Sequence, residues 1–418
     1  MTTEYLILGA SHAGLAALDA IKRFDETARV TLATAEDGPL YSPTALPYLI
    51  SGKTQADQVE LRSRDAIEAL GVTFKTGAKA SGLDLEKQRV TFQDGSQLNY
   101  DKLLVTTGAS ATLPPIPGLA ESKAFSIRTL ADADAIRNQA KAAKTAIILG
   151  AGFVGMHAAE NLANAGLSVT VVELCHQIMP ASFDPDAADR IADTFSKEGI
   201  SLLTGAEAAQ VGQDGKQTLL FLKDDTTLTA DMLVVAAGIR PNTAFMAGCE
   251  LDVTEGIPVD RRMRTPLANI WAAGDVALAP DFFTKEYALG GTIPLASDQG
   301  RIAGMDMVED DYLEEYTGNL NMNTFGFFGN FAFSIGNIAA PGPDAQVHVL
   351  DPGKEAGKDD RFCKLVVQDH CLTGVSAVNW PLDPGVLREM IQTRTDLSDH
   401  INELLQHPRQ TARRLIQG

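Results

Sequence analysis

The sequence predicts an α/β fold: two Rossmann-like nucleotide-binding domains with inserted antiparallel sheets, followed by an α+β C-terminal domain. Two observations carry this. Residues 4–32 and 144–173 each run strand, glycine-rich turn, Ala-rich helix, strand. A βαβ unit repeated along one chain means two nucleotide-binding domains. From about residue 316 the composition changes, and 319–333 becomes aromatic and strand-like. A chain of 418 residues has room for three domains at roughly 150 residues each.

The elements follow in order. Tyr5–Leu8 and Ala146–Leu149 are short apolar runs suited to buried parallel strands. Residues 72–100 alternate apolar and polar positions around the hairpin signal Asp94-Gly95, and 201–230 repeat that pattern. Pro114-Pro115-Ile116-Pro117-Gly118 is stiff and marks a crossover. A second crossover follows Arg240-Pro241-Asn242. The expected domains are therefore 1–115 with 243–315, then 116–242, then 316–418. Residues 351–360, rich in Asp, Gly and Lys, read as a solvated hairpin loop. Residues 383–418 read as helical, interrupted at Pro408.

Composition narrows the function classes. A formal charge of -19 argues against nucleic acid and anionic membrane partners. No apolar run approaches the roughly 20 residues of a membrane span. The N-terminus runs directly into a strand with no secretion signal. Cys175, Cys249, Cys363 and Cys371 form no Cys-x-x-Cys pair and no cluster-binding spacing. They read as reduced thiols of a cytoplasmic protein, and no metal site is expected.

Gly9-Ala10-Ser11-His12-Ala13-Gly14 follows a strand and opens a helix. It is a G-x-G-x-x-G turn in which Ser11 replaces the second glycine. The first glycine permits the tight turn, and the helix N-terminus offers N–H donors and a positive dipole end to a diphosphate. Ser11 also suits a plain helix cap. At the end of the next strand Thr34 stands where a ribose-binding acid is usual. Glu36 either takes that role or is a solvated loop carboxylate. Gly150-Ala151-Gly152-Phe153-Val154-Gly155 is a complete fingerprint, and the following strand ends in Glu173. That acid accepts both ribose hydroxyls of NAD and repels a 2′-phosphate. No Lys or Arg follows until Arg190, so the pattern selects NAD over NADP.

Three further segments, Leu103–Gly108, Leu233–Gly238 and Ile270–Asp275, are strands ending in small-residue turns. With the two fingerprints they resemble the FAD-dependent pyridine nucleotide–disulfide oxidoreductase superfamily, over roughly residues 4–310. The resemblance implies FAD in the first domain, contacted by Gly9, Ser11, His12, Ala13, Gly14, Glu36, Pro43, Thr44, Thr107, Gly108, Gly274, Asp275, Leu295 and Ala296. Within that set Asp275 would bond the ribitol, and Leu295 and Ala296 would pass under the flavin pyrimidine. It implies NAD in the second domain, contacted by Gly150, Gly152, Phe153, Val154, Gly155, Glu160, Glu173 and Gly238. Glu160 is then expected near the nicotinamide; its alternative is an exposed helix carboxylate.

Departures from the pattern are as informative. In the similar CoA-disulfide reductases and NADH oxidases a cysteine precedes Ala-Leu-Pro-Tyr; here the residue is Thr44. A threonine hydroxyl is not ionised at neutral pH and has no sulfenate or disulfide state. Electrons therefore pass between the flavin and something other than a thiol. Tyr48 lies about where ferredoxin and rubredoxin reductases place a lysine to pair with the counterpart of Glu160. Thr44, Tyr48 and Glu160 are the candidate catalytic residues. His407-Pro408 is followed by Arg409, Gln410 and Thr411, with no acid, so His407 reads as a helix-end residue.

Tyr41–Lys53, Val154–Asn161 and Arg394–Leu397 look like the NADH-linked flavin subunits of phenylglyoxylate dehydrogenase and tungsten aldehyde oxidoreductase complexes. That resemblance implies an FAD-containing electron-transfer subunit. Its partners would be an iron–sulfur subunit and a catalytic subunit, either tungsten/molybdenum- or thiamine-dependent, oxidising an aldehyde or 2-oxo acid. The alternative is a free-standing NADH oxidase or diaphorase, or a ferredoxin/rubredoxin-type reductase. The expected docking surface is segment 41–53 with Phe325–Phe333, and Lys53 is expected to be a surface charge remote from the nicotinamide.

Overall fold

The computed structural model describes residues 3–339, 344–352 and 360–417. The chain forms two compact units, each discontinuous in sequence. The first comprises Met1–Ala45, Gln55–Ser110 and Ile239–Leu320; the second comprises Leu46–Thr54, Ala111–Gly238 and Asn321–Gly418. Relative to the expected boundaries, Leu46–Thr54 belongs to the second unit.

The first unit is built on a parallel sheet in the order Ile270–Ala272, Lys102–Val105, Glu4–Leu8, Arg29–Ala33, Thr73–Lys75. Leu6, Ile7 and Leu8 are buried, as a central strand covered on both faces requires. The helix His12–Phe24 buries Leu15, Leu18 and Ile21, the i, i+3, i+6 stripe of an amphipathic helix. Beside it runs the helix Ile293–Met307. Their close approach demands glycine: a Cβ on Gly300 would stand 2.1 Å from the Ala13 carbonyl oxygen. The antiparallel sheet expected within 72–100 is Ala80–Asp84, Arg89–Phe92 and Gln97–Asn99, turning at Gly95 with φ +80°.

The second unit repeats the plan. Its parallel sheet runs Phe125–Ser126, Met232–Val235, Thr145–Leu149, Ser168–Glu173, Ser201–Thr204. Its antiparallel insert is Ala208–Asp214, Gln217–Leu222 and Thr227–Ala230. The C-terminal part adds a five-stranded antiparallel sheet, ordered Met322–Phe327, Asn330–Gly336, Cys371–Val378, Phe362–Gln368, Gln346–Leu350. Three helices follow, Pro384–Gln392, Ile401–Gln406 and Pro408–Gln417. Pro408 opens the last of them, where its missing N–H costs nothing. His407 is the C-cap of the helix before it. Most of the hairpin loop expected at 351–360 lies outside the described residues. The fold class read from sequence is the one found.

The aromatic stretch is core. Phe325, Phe327 and Phe333 are buried, and Phe325 stacks on Phe195 of the helix Pro185–Lys197 at 6.1 Å and 7°. Phe327 stacks on Phe325 at 5.0 Å. Buried aromatic surface of this size is worth roughly 2 kcal/mol per side chain. Phe331, one of the stretch's exposed members, is too little to make the expected docking surface.

Candidate functional site

Each unit presents a glycine turn between its central strand and a helix. In the first unit Gly9 has φ +114°, and a Cβ there would meet the Thr106 carbonyl oxygen at 2.0 Å. Thr106 Oγ1 donates to the Leu8 and Gly9 carbonyls and holds the turn from below. A Cβ on Gly14 would strike the Gly9 carbonyl oxygen at 2.0 Å. Ser11 sits at the N-cap, yet its side chain makes no capping bond. The first-turn N–H groups are thus not claimed by Ser11, which suits an anionic diphosphate. The capping alternative for Ser11 therefore does not describe its side chain.

Other expected FAD residues converge on this turn. A Cβ on Gly274 would be 3.2 Å from Ala13 Cβ and 3.7 Å from Ala296 Cβ. With φ +79° and that close packing the position favours glycine, directly before half-buried Asp275. The Gly274 N–H donates to buried Gln299 Oε1 at 2.8 Å, and Gln299 Nε2 donates to Asn319 Oδ1 at 3.0 Å. Leu295 is buried at the start of the same helix as Gln299. Thr107 and Gly108 are clamped by Asn242: Thr107 Oγ1 donates to the Asn242 carbonyl, Asn242 Nδ2 to the Thr107 carbonyl, and Asn242 N to the Gly108 carbonyl. Glu36 accepts from Tyr41 Oη at 2.7 Å, so its carboxylate is held in place. Pro43 and Thr44 lie in a 3-10 turn, with Thr44 exposed. Thr44 Oγ1 is 2.9 Å from Ser42 Oγ, and Ser42 Oγ is 2.9 Å from His12 Nε2.

In the second unit Gly150 has φ +106° and faces the Ala236 carbonyl; Gly155 faces the Gly150 carbonyl. Gly152 is the N-cap of the helix Phe153–Asn164, and a Cβ on it would meet nothing within 4 Å. Open space at this glycine, with packed backbone at the other two, is the cradle a diphosphate fits. Glu173 accepts from Ala151 N at 2.7 Å through Oε2 and from Cys175 N at 2.9 Å through Oε1. Two backbone donors hold the carboxylate at the fingerprint turn and leave it lone pairs for ribose hydroxyls. Val154 is exposed and Phe153 half-buried. Gly238 has φ +118° and accepts from Thr112 N.

Two turns beyond Phe153 stands Glu160. It is buried, with 6% exposure, which removes the exposed-carboxylate alternative. Its Oε1 accepts from Phe328 N at 3.1 Å and lies 3.9 Å from Lys53 Nζ. Lys53 is therefore no remote surface charge. It supplies the cation that Tyr48 does not, from five residues further along. Tyr48 is 37% exposed, with its ring 6.1 Å from that of His157. Burial, and then the charge of Glu160, push the Tyr48 phenol above its ordinary value. The structure thus brings Tyr48, Glu160 and Lys53 together in one unit, and Thr44 with Ser42 and His12 in the other. Sequence reasoning missed Lys53, Ser42, Asn242 and Gln299 as site residues. Asn242 carried a signal, since it follows directly on the crossover Pro241.

Two glycine cradles, each closing a parallel sheet onto a helix N-terminus and one marked by an acid after the next strand, define a two-dinucleotide oxidoreductase. The chain belongs to the pyridine nucleotide-disulphide oxidoreductase family, whose profile matches residues 3–300. It is an FAD-dependent NAD(H) oxidoreductase. It is 38% identical over 415 residues to the NADH-dependent phenylglyoxylate dehydrogenase subunit epsilon of Aromatoleum evansii, covering 99% of this chain and 97% of that one. It is 26% identical over 400 residues to the assimilatory nitrate reductase electron transfer subunit of Bacillus subtilis, and spans 50% of that longer protein. Among solved structures, the NADH-bound water-forming NADH oxidase of Lactobacillus brevis superposes with a TM-score of 0.87 at 22% identity, covering 99% of this chain and 100% of that one. The last comparison shows the fold alone. Among the described residues no helix is long and apolar enough to cross a membrane.

Proposed function

We propose that this chain is the NADH-linked flavin subunit of a cytoplasmic, multi-subunit complex that oxidises an aldehyde or 2-oxo acid. It exchanges electrons between NAD(H) and an iron–sulfur subunit, which connects it to a tungsten/molybdenum- or thiamine-dependent catalytic subunit. The observation that carries this is the end-to-end match to a dehydrogenase subunit, which continues past residue 300, where the family profile stops. Thr44 supports it, because the chain has no thiol at the position where similar disulfide reductases keep one. Bound FAD supplies the one step that protein side chains cannot: it takes two electrons together and passes them singly. The chain's own residues hold and orient. Gly9, Gly14 and the His12 helix cradle one diphosphate; Glu36, fixed by Tyr41, takes the place of the acid missing at Thr34. Asp275 and the first turn of the helix Ile293–Met307, with Leu295 and Ala296, face the ribitol and flavin. Gly150, Gly152 and Gly155 cradle the second diphosphate, and Glu173 selects its ribose.

Purification from the native host under mild conditions tests the assignment. An iron–sulfur subunit and a catalytic oxidoreductase subunit are expected to come with the chain. A chain that comes alone and consumes oxygen rapidly with NADH is instead a free-standing oxidase.

Two outcomes follow at the bench. NADH is expected to reduce the flavin much faster than NADPH. Glu173→Ala removes two hydrogen bonds to ribose and is expected to weaken NADH binding roughly tenfold while narrowing the preference. Equal rates with both nucleotides in the parent protein would sink the NAD assignment. The second outcome concerns thiols. Cys175 is the exposed cysteine; Cys363 and Cys371 are buried and Cys249 half-buried. Burial raises the Cys363 thiol to about 12, so it is inert. Alkylating the NADH-reduced protein is therefore expected to leave dye reduction intact at saturating NADH. Loss of activity in proportion to labelling of one cysteine would show that a thiol carries electrons after all.

A further inference from the structure

His12, Ser42 and Thr44 form one hydrogen-bonded line within the first unit. His12 Nε2 to Ser42 Oγ and Ser42 Oγ to Thr44 Oγ1 are each 2.9 Å. His12 opens its helix and is half-buried; Thr44 sits in the turn Pro43–Ala45 and is exposed. The line therefore joins two elements that are thirty residues apart in sequence. A hydroxyl donates and accepts at once, and a neutral imidazole does one of each at its two nitrogens. Such a line passes a proton from end to end while no heavy atom moves. Asp275 is the charged group acting on the imidazole. Its charge favours the imidazolium, but burial of the ring outweighs it, and the ring titrates below its ordinary value. At neutral pH His12 is thus a base able to accept.

The chemistry proposed above creates a need for this line. A nicotinamide gives up a hydride, which is two electrons and one proton. An iron–sulfur centre takes electrons singly and takes no proton. For each pair of electrons passed from one to the other, one proton must leave the flavin, and in the reverse direction one must arrive. A cysteine at position 44 would move electrons as well; a threonine there moves protons only.

We propose that Thr44, Ser42 and His12 are a proton path serving this mismatch, with Thr44 at the flavin end and His12 as the acceptor. This rests on the reading that Thr44 faces the flavin. When electrons leave for the one-electron partner, one proton passes to Thr44 Oγ1. The Thr44 proton passes to Ser42 Oγ, and the Ser42 proton passes to His12 Nε2. The resulting imidazolium releases its proton to water. In the opposite direction each transfer reverses.

Ser42→Ala cuts the line in the middle, and Ser42→Thr keeps the hydroxyl. Each FAD-loaded protein is reduced with NADH and then oxidised with ferricenium, an outer-sphere acceptor that takes no proton, in H2O and in D2O. In Ser42→Ala the oxidative step is expected to slow about tenfold relative to the reductive step, with its solvent isotope effect altered; Ser42→Thr is expected to restore both. An unchanged ratio of the two steps in Ser42→Ala overturns the path. Failure of NADH to reduce the parent flavin at all would overturn the proposed function instead. A readout independent of turnover is the 15N spectrum of the His12 ring in the resting parent protein. The path requires the Nδ1–H tautomer, with Nε2 bare and accepting from Ser42. A ring protonated at Nε2 at rest overturns it, whether or not the variants retain FAD.

Discussion

Glu160→Gln is expected to slow reduction of the flavin by NADH about thirtyfold, with a smaller change in NADH binding. The proposed site places the Glu160 carboxylate beside the nicotinamide, and hydride departure makes that ring cationic. A buried carboxylate stabilises the charge as it develops, and it does so more strongly than in water. The geometry that holds it ready is on the protein: Phe328 N–H donates to Oε1, and Lys53 Nζ lies 3.9 Å away. Half-exposed Lys53 is screened by solvent, so the pair itself is worth at most about 1 kcal/mol, whereas a thirtyfold rate change corresponds to about 2 kcal/mol of transition-state stabilisation by the Glu160 charge. Glutamine removes the negative charge and leaves the ammonium facing the developing cation. Lys53→Met tests the same pair from the other side. It leaves the buried carboxylate without its cation, so the reduction rate at saturating NADH is expected to change from that of the parent. Stopped-flow reduction at saturating NADH measures both variants. A Glu160→Gln protein reduced at the parent rate would remove Glu160 from the nicotinamide side.

Lys53 also shows where sequence reading stops. Both glycine turns were legible because their constraint is local: backbone passes so close to Gly9, Gly150 and their partners that no side chain fits. Glu173 was legible for the same reason, lying one strand beyond its fingerprint. Lys53 was not. The position compared with the lysine of related reductases holds Tyr48, and the cation reaches Glu160 only because the chain turns back after the helix Leu46–Ile50, with Thr54 N donating to the Tyr48 carbonyl. That return is tertiary. The phenylalanines failed differently. Alternation in Met322–Phe327 shows that Phe325 and Phe327 share a face, but nothing local says what covers it; the covering Phe195 lies about 130 residues upstream in another part of the chain. The same limit applies to the line from Thr44 to His12. Each residue was a candidate for the FAD site or adjoined one, and the contact linking them joins a helix start to a 3-10 turn thirty residues on, which sequence periodicity does not pair.

Acid is expected to destabilise the second unit through one histidine. His157 lies on the helix Phe153–Asn164, one turn beyond Phe153. Its ring meets the Phe325 ring at 4.7 Å, edge to face, and its Nδ1 has no hydrogen-bond partner. Burial without a partner pushes the ring down to about 4 from its usual 6.5. Above pH 6.5 the ring is neutral in both folded and unfolded chains, and the full stability is present. As pH falls from 6.5 towards 4 the unfolded chain takes up a proton that the folded one refuses, so stability is lost; below 4 the loss levels off. Between pH 7 and pH 5 this amounts to about 2 kcal/mol. Carboxylates also titrate on acidification, so the comparison that isolates His157 is His157→Phe, which keeps an aromatic ring against Phe325 and cannot be protonated. Urea unfolding of both proteins at pH 7 and pH 5 is expected to show a smaller acid loss in the variant, by about that amount. The helix that carries His157 begins at the NAD fingerprint, so the parent is also expected to lose NADH affinity over the same pH range, and His157→Phe to retain it. An equal acid loss in the two proteins would mean that the ring is protonated in the folded state at little cost, and that the packing around Phe325 accommodates the charge.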